Sequence, residues 1–132
     1  MLGSGTVQIF QSGLTPTQIK TLLYTQGPVM VGVYADPGFM KYSTGTYSSC
    51  PSNAASSINH AVLLYGYDAS GNWLIKNQWD TTWGQQGFMV LSSTRDCGMS
   101  TLLGNIQFST PLNNNPNVTI SSSMLYTYNA KW

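Results

Sequence analysis

Two side chains hold most of the chemistry available to this chain, and the first is its only histidine, His60. An imidazole is the one side chain whose unperturbed charge changes near neutral pH, so it is the natural place to look for proton transfer. His60 heads the apolar run Asn59-His60-Ala61-Val62-Leu63-Leu64-Tyr65-Gly66-Tyr67. A lone histidine before an apolar strand is more often structural than catalytic, so its neighbours decide. Seventeen residues further on stands Asn77, within Trp73-Leu74-Ile75-Lys76-Asn77-Gln78-Trp79. Alternation places Trp73, Ile75 and Asn77 on one strand face. A hairpin pairing of the two strands can then bring Asn77 beside His60. The two cysteines, Cys50 and Cys97, are consistent with one disulfide without requiring it. One histidine and two separated cysteines give no zinc-ligand spacing, and no metal or other cofactor is expected.

The elements that must position these residues are partly punctuated. Leu14 to Gly27 reads as a helix, with Thr15 as N-cap, Pro16 at the first helical position and Gln18 completing a capping box. Ile19, Leu22 and Leu23 form one apolar stripe. Gly27 supplies the C-terminal turn, and Pro28 forbids continuation. Strands are expected over Val29–Ala35, Ala61–Tyr67, Trp73–Gln78 and Gly87–Ser92. Asp68-Ala69-Ser70-Gly71-Asn72 is rich in turn formers and joins the second strand to the third as a hairpin. One helix followed by mostly antiparallel strands predicts an α+β or β-barrel-like lobe, not a parallel α/β sheet.

Composition bounds the function. The chain has 132 residues, enough for one domain with a core, and 42% of them are hydrophobic. Only 7% are charged, the net charge is +1, and no basic run exists. Neither nucleic-acid binding nor attraction to an anionic membrane is expected from that balance. No stretch approaches the length of a membrane span. The start, Met1-Leu2-Gly3-Ser4-Gly5, does not read as a signal peptide. At Pro111 the composition changes, dividing a lobe at residues 1–110 from an Asn-rich linker and tail at 111–132. The apolar residues Val118, Ile120, Leu125, Tyr126, Tyr128 and Trp132 predict an arm lying on another surface. Asn117-Val118-Thr119 is also a glycosylation sequon.

Several motifs in one order give this chain a resemblance. His60-Ala61-Val62 followed by Gly66-Tyr67, then Lys76-Asn77-Gln78-Trp79, Trp83-Gly84 and Gly87-Phe88, resembles the histidine and asparagine signatures of the papain family of cysteine peptidases. Gly27-Pro28-Val29, Tyr42-Ser43-Thr44-Gly45 and Cys97-Gly98-Met99 agree in order. The likeness covers roughly residues 14–108 and corresponds to the C-terminal, His/Asn-bearing lobe. It implies that His60 takes a proton from a cysteine thiol and returns it to the leaving amine, while Asn77 orients the ring. It further implies that Trp79 shields the His–Asn bond and that Trp83 packs nearby. Gly32, Asn59, Ala61 and Leu102 match substrate-pocket positions, with small and apolar walls suited to a bulky apolar side chain. Cys50 and Cys97 match a disulfide of many relatives. Two positions depart from the family pattern: Gln78 stands where serine is usual and Asp80 where glycine is usual.

The nucleophile is missing. The family carries it in a Gln…Cys-Gly-Ser-Cys-Trp segment on a helix of the other lobe, and nothing like that segment is present here. The resemblance therefore implies a peptidase half, inactive alone, completed by a Cys-bearing N-terminal lobe or chain and acting on peptides. The alternative is a catalytically inactive scaffold serving as a structural or interaction subunit. A secreted or lysosomal/vesicular location is expected.

Overall fold

The structure is a computed structural model that describes residues 5–10 and 13–108. The expected boundary at residue 110, the linker and tail over 111–132 and the sequon at Asn117 lie outside the described residues.

Seven strands and two α-helices follow in the order β1 (Gly5–Phe10), α1 (Pro16–Gln26), β2 (Val29–Val33), α2 (Pro37–Met40), β3 (Thr46–Tyr47), β4 (His60–Tyr67), β5 (Trp73–Lys76), β6 (Phe88–Leu91) and β7 (Leu103–Phe108). Short 3-10 turns occupy Ala54–Ser56 and Met99–Thr101. The strands form one sheet in the order β1-β7-β2-β4-β5-β6-β3. All neighbours are antiparallel except β3 and β6, which run parallel.

Helix α1 has the ends its sequence specifies. The Thr15 hydroxyl accepts from the Gln18 backbone N–H at 3.3 Å, and the Gln18 side-chain Oε1 accepts from the Thr15 N–H at 2.8 Å. Gly27 ends the helix at φ 79°, a left-handed angle that glycine adopts without a Cβ clash, and its N–H closes on the Leu23 carbonyl at 2.9 Å. Ile19 is buried from this helix, with Leu22 and Leu23 packed at the core margin.

The core sits on one face of the sheet. Val29, Leu64, Ile75 and Met89 lie opposite one another across four strands, and all are buried. Val31, Val33, Val62, Trp73, Leu91 and Leu103 extend the same apolar layer. Residues between them in sequence point the other way, so Ala61, Tyr65 and Phe88 are exposed on the opposite face. This is the period-2 consequence of strand geometry.

The expected β4–β5 hairpin is present, with a register shift between Leu64 and Gly66. Three strands and one helix go beyond the expected set: β1, β3, β7 and the single turn α2. The architecture is α+β, and the sheet is open. No pairing between edge strands β1 and β3 closes it into a barrel among the described residues.

Candidate functional site

His60 is the first residue of β4, and Asn77 directly follows the last residue of β5. His60 shares its strand face with Val62 and Leu64, and Asn77 continues the line of Trp73 and Ile75. Both side chains therefore emerge at the rim of the core. There the His60 Nε2 and Asn77 Oδ1 atoms stand 2.9 Å apart. The same Oδ1 accepts the Gln78 backbone N–H at 2.9 Å. A backbone N–H can only donate, so that amide atom is the oxygen, and the imidazole must donate to it from Nε2. Asn77 thus selects the Nε2–H tautomer of a neutral His60 and leaves Nδ1 with its lone pair. Among the described residues, Nδ1 has no hydrogen-bond partner.

Turning the Asn77 amide over would set its NH2 group against the Gln78 backbone N–H, donor against donor, so the orientation is locked. The lock has an unusual remainder. Asn77 is 6% exposed, and its Nδ2 has no partner among the described residues.

Aromatic rings enclose this pair. Trp79 stacks on the imidazole with ring centroids 4.5 Å apart and planes 24° from parallel. Phe39 meets His60 edge-on at 6.5 Å and Trp79 edge-on at 5.9 Å. Trp83 stacks on Phe39 at 5.6 Å, and its indole N–H donates to the Phe39 and Met40 carbonyls at 3.2 and 3.1 Å. Excluding water from the His–Asn bond lowers the local dielectric and strengthens it.

The four expected pocket residues do not behave alike. Gly32 pairs with Ala61 across β2 and β4, and its N–H donates to the Leu102 carbonyl at 2.8 Å. A Cβ at Gly32 would come within 2.7 Å of Leu102 Cδ2 and 2.9 Å of Ile58 Cγ2. Gly32, Ala61 and Leu102 are thus gathered, and Leu102 occupies the space that the glycine leaves. Asn59 is held differently, its amide oxygen accepting the Ala35 N–H at 2.9 Å. A groove of about 370 Å³ opens beside Ala61, lined also by Met30, Leu63, Asn77 and Phe88.

Gln78 donates from its side chain to the Ala61 carbonyl at 3.0 Å, fastening the residue after Asn77 to β4. Asp80 has φ 71°, the left-handed angle that a glycine-preferring position foreshadows. Its carboxylate accepts the Thr81 N–H at 2.6 Å, a local bond of the kind that lets aspartate tolerate such a backbone. Cys50 and Cys97 form a disulfide with Cα atoms 5.1 Å apart, so the chain holds no free thiol. No group of three or more potential metal ligands gathers among the described residues. No helix there is long and apolar enough to cross a membrane.

Sequence reasoning missed Asp36, Phe39 and Tyr47. Asp36-Pro37 is an N-cap followed by an N1 proline, the same signal that located α1, and it could have marked α2.

The family profile for papain family cysteine proteases matches residues 4–104, and the chain belongs to that family. It is 43% identical over 90 residues to cathepsin K of Gallus gallus, covering 64% of this chain and 27% of that protein. Digestive cysteine proteinase 1 of Homarus americanus is 38% identical over 89 residues, covering 63% and 27%. Among solved structures, the bromelain protease of Ananas comosus superposes with a TM-score of 0.59 at 28% identity, covering 72% of this chain and 46% of that one. The chain spans 27% of the length of both curated relatives.

Proposed function

We propose that this chain is the His/Asn-bearing part of a papain-like cysteine endopeptidase, with the nucleophilic cysteine supplied by a lobe or second chain outside these residues. The observation that carries the proposal is the 2.9 Å His60–Asn77 contact beneath the stacked Trp79. A purely structural histidine has no need of an amide that fixes its tautomer and leaves the opposite nitrogen unpartnered.

In this reading His60 Nδ1 removes the proton of the incoming thiol, giving a thiolate and an imidazolium. The thiolate attacks the peptide carbonyl, and the imidazolium gives its proton to the departing amine as the C–N bond breaks. Water then attacks the acyl-thioester while His60 takes its proton. The acid leaves, and the thiolate and imidazolium are restored. Asn77 orients the ring throughout, Trp79 keeps water from its bond, and Trp83 braces the cluster. Gly32, Ala61 and Leu102 wall a pocket for an apolar side chain two residues before the scissile bond, with Asn59 shaping it through its tie to Ala35. Substrates are peptides.

On the outer sheet face Tyr65 and Phe88 are exposed beside the half-buried Met30 and Leu63, apolar surface that supports a partner lobe docking there. A disulfide in a chain with no free thiol supports an oxidising, secreted or lysosomal/vesicular location.

The test mixes residues 1–132 with a polypeptide bearing the family's Gln…Cys-Gly-Ser-Cys-Trp segment and follows a fluorogenic peptide at mildly acidic pH. Turnover is expected only from the mixture, blocked by a cysteine-directed inhibitor and lost on His60→Ala. A folded but inert complex would favour the structural-subunit reading, for which the departures at Gln78 and Asp80 speak. Turnover by the chain alone, abolished on Cys50→Ala, overturns the assignment of the nucleophile to another segment.

A further inference from the structure

Phe39 touches every ring of the site: His60 at 6.5 Å, Trp79 at 5.9 Å and Trp83 at 5.6 Å between centroids. It is fully buried, on a helix of four residues. A helix that short cannot hold itself in place, because one turn does not repay its own nucleation. Its position must come from outside ties, and two exist. At the far end of α2 the Trp83 indole grips the Phe39 and Met40 carbonyls. At the near end, Asp36 Oδ1 accepts the Phe39 backbone N–H at 2.7 Å and the Tyr47 hydroxyl at 2.7 Å. The Tyr47 ring then lies edge-on to Phe39 at 6.0 Å. A side chain at residue 38 would collide with the Tyr47 hydroxyl, so Gly38 keeps that approach open.

We propose that Asp36 and Tyr47 are positioning residues for His60: the carboxylate oxygen they share fixes Phe39, and Phe39 fixes the imidazole against Trp79. Neither residue touches the imidazole in a described contact; both act through Phe39. The clamp is fastened by a chain segment separate from the hairpin that carries His60 and Asn77. The ring is thus held by its hairpin partner at Nε2, by Trp79 on its face and by a remote strut along its edge.

The inference rests on the catalytic reading of His60, but its test reads the ring and not hydrolysis. Because His60 is the only histidine, its imidazole N–H signal in the 15N-labelled 132-residue chain has no rival. The Nε2 proton, bonded to Asn77 and covered by Trp79, is expected to exchange slowly. Tyr47→Phe should quicken that exchange about five- to tenfold, the factor expected from one lost hydrogen bond, and Asp36→Ala, which loses two, should quicken it at least as much. Amide protection across β4 and β5 should stay unchanged. Asp36→Asn, whose oxygen can still accept from both Phe39 N–H and Tyr47, should restore slow exchange. If Asp36→Ala fails to fold, Tyr47→Phe alone decides. Exchange within twofold of the parent in a folded Tyr47→Phe chain overturns the proposal, as does an unprotected imidazole proton in the parent. An inert complex in the mixing experiment would leave the clamp standing and remove only the catalytic reading.

Discussion

Asn77→Ala separates what this residue does for the fold from what it does for His60. The substitution removes an oxygen that accepts two hydrogen bonds, from His60 Nε2 and from the Gln78 N–H. Each is worth about 1 kcal/mol net, so their loss destabilises by roughly 2 kcal/mol. It also removes Nδ2, a buried donor with no partner among the described residues, whose desolvation costs about 1–3 kcal/mol. The two effects nearly cancel, and the predicted change in stability is within about 1 kcal/mol of zero. For a buried side chain in a strand-end loop that is a small effect. The imidazole, by contrast, loses its tautomer lock and its fixed orientation, and misplacing a reacting group by about 1 Å costs about 100-fold in rate. Two measurements are needed on one variant: denaturant unfolding of the chain, and turnover of the complemented assembly. Near-parental unfolding with turnover reduced about 100-fold is the expected result. A loss of more than about 3 kcal/mol would show that the amide is structural and that the buried Nδ2 is not a liability. Unchanged turnover in an active complex would refute the ring-orienting role.

Three further outcomes follow from the geometry. Burial, and then the hydrogen bond and charge of Asp36, raise the Tyr47 pKa well above its ordinary value of 10.0. Above that pH the unfolded phenol has lost a proton that the folded one keeps, so this group's stabilisation declines as pH rises. Comparing alkaline unfolding of the parent with Tyr47→Phe should show a shallower decline in the variant. Reducing the Cys50–Cys97 bridge, whose cysteines are 47 residues apart, should lower stability by about 4 kcal/mol in equilibrium unfolding with and without reductant. Gly84 has φ 59°, and a Cβ there would stand 2.6 Å from the Phe88 carbonyl oxygen. Gly84→Ala should therefore destabilise by at least about 2 kcal/mol in thermal or denaturant unfolding.

What could be read from the sequence was what is local. The Thr15, Pro16, Gln18 and Gly27 signals each act within one turn of their helix, so α1 appears where they place it. The His60–Asn77 meeting was legible because a short turn joins two alternating strands, and alternation alone decides which face each residue takes. Strands β1 and β7 are different in kind. Their pairing joins Gly5 to Phe108, and β7 begins with Leu103-Gly104-Asn105, where glycine and asparagine weaken the strand pattern. Helix α2 hid for a related reason: Pro37-Gly38 reads as a turn, and four residues give no helical period to detect. Phe39 was therefore invisible as part of the site, since its role depends on where distant segments bring it. The open sheet could not be foreseen either, because closure depends on edge partners and not on the pattern within any strand.

The contrast between these pairings also orders events on the ribosome. Residues 60–77 form a compact hairpin whose ends meet after a short loop closes, so the imidazole and its amide can come together as soon as both have emerged. Strand β1 is made long before β7 and cannot pair with it until almost the last described residue has been synthesised. Throughout that interval β1 lacks the β7 partner it has in the fold, and an unpaired strand is a template for the wrong neighbour. The His60–Asn77 contact can thus form well before the β1–β7 rim of the same sheet.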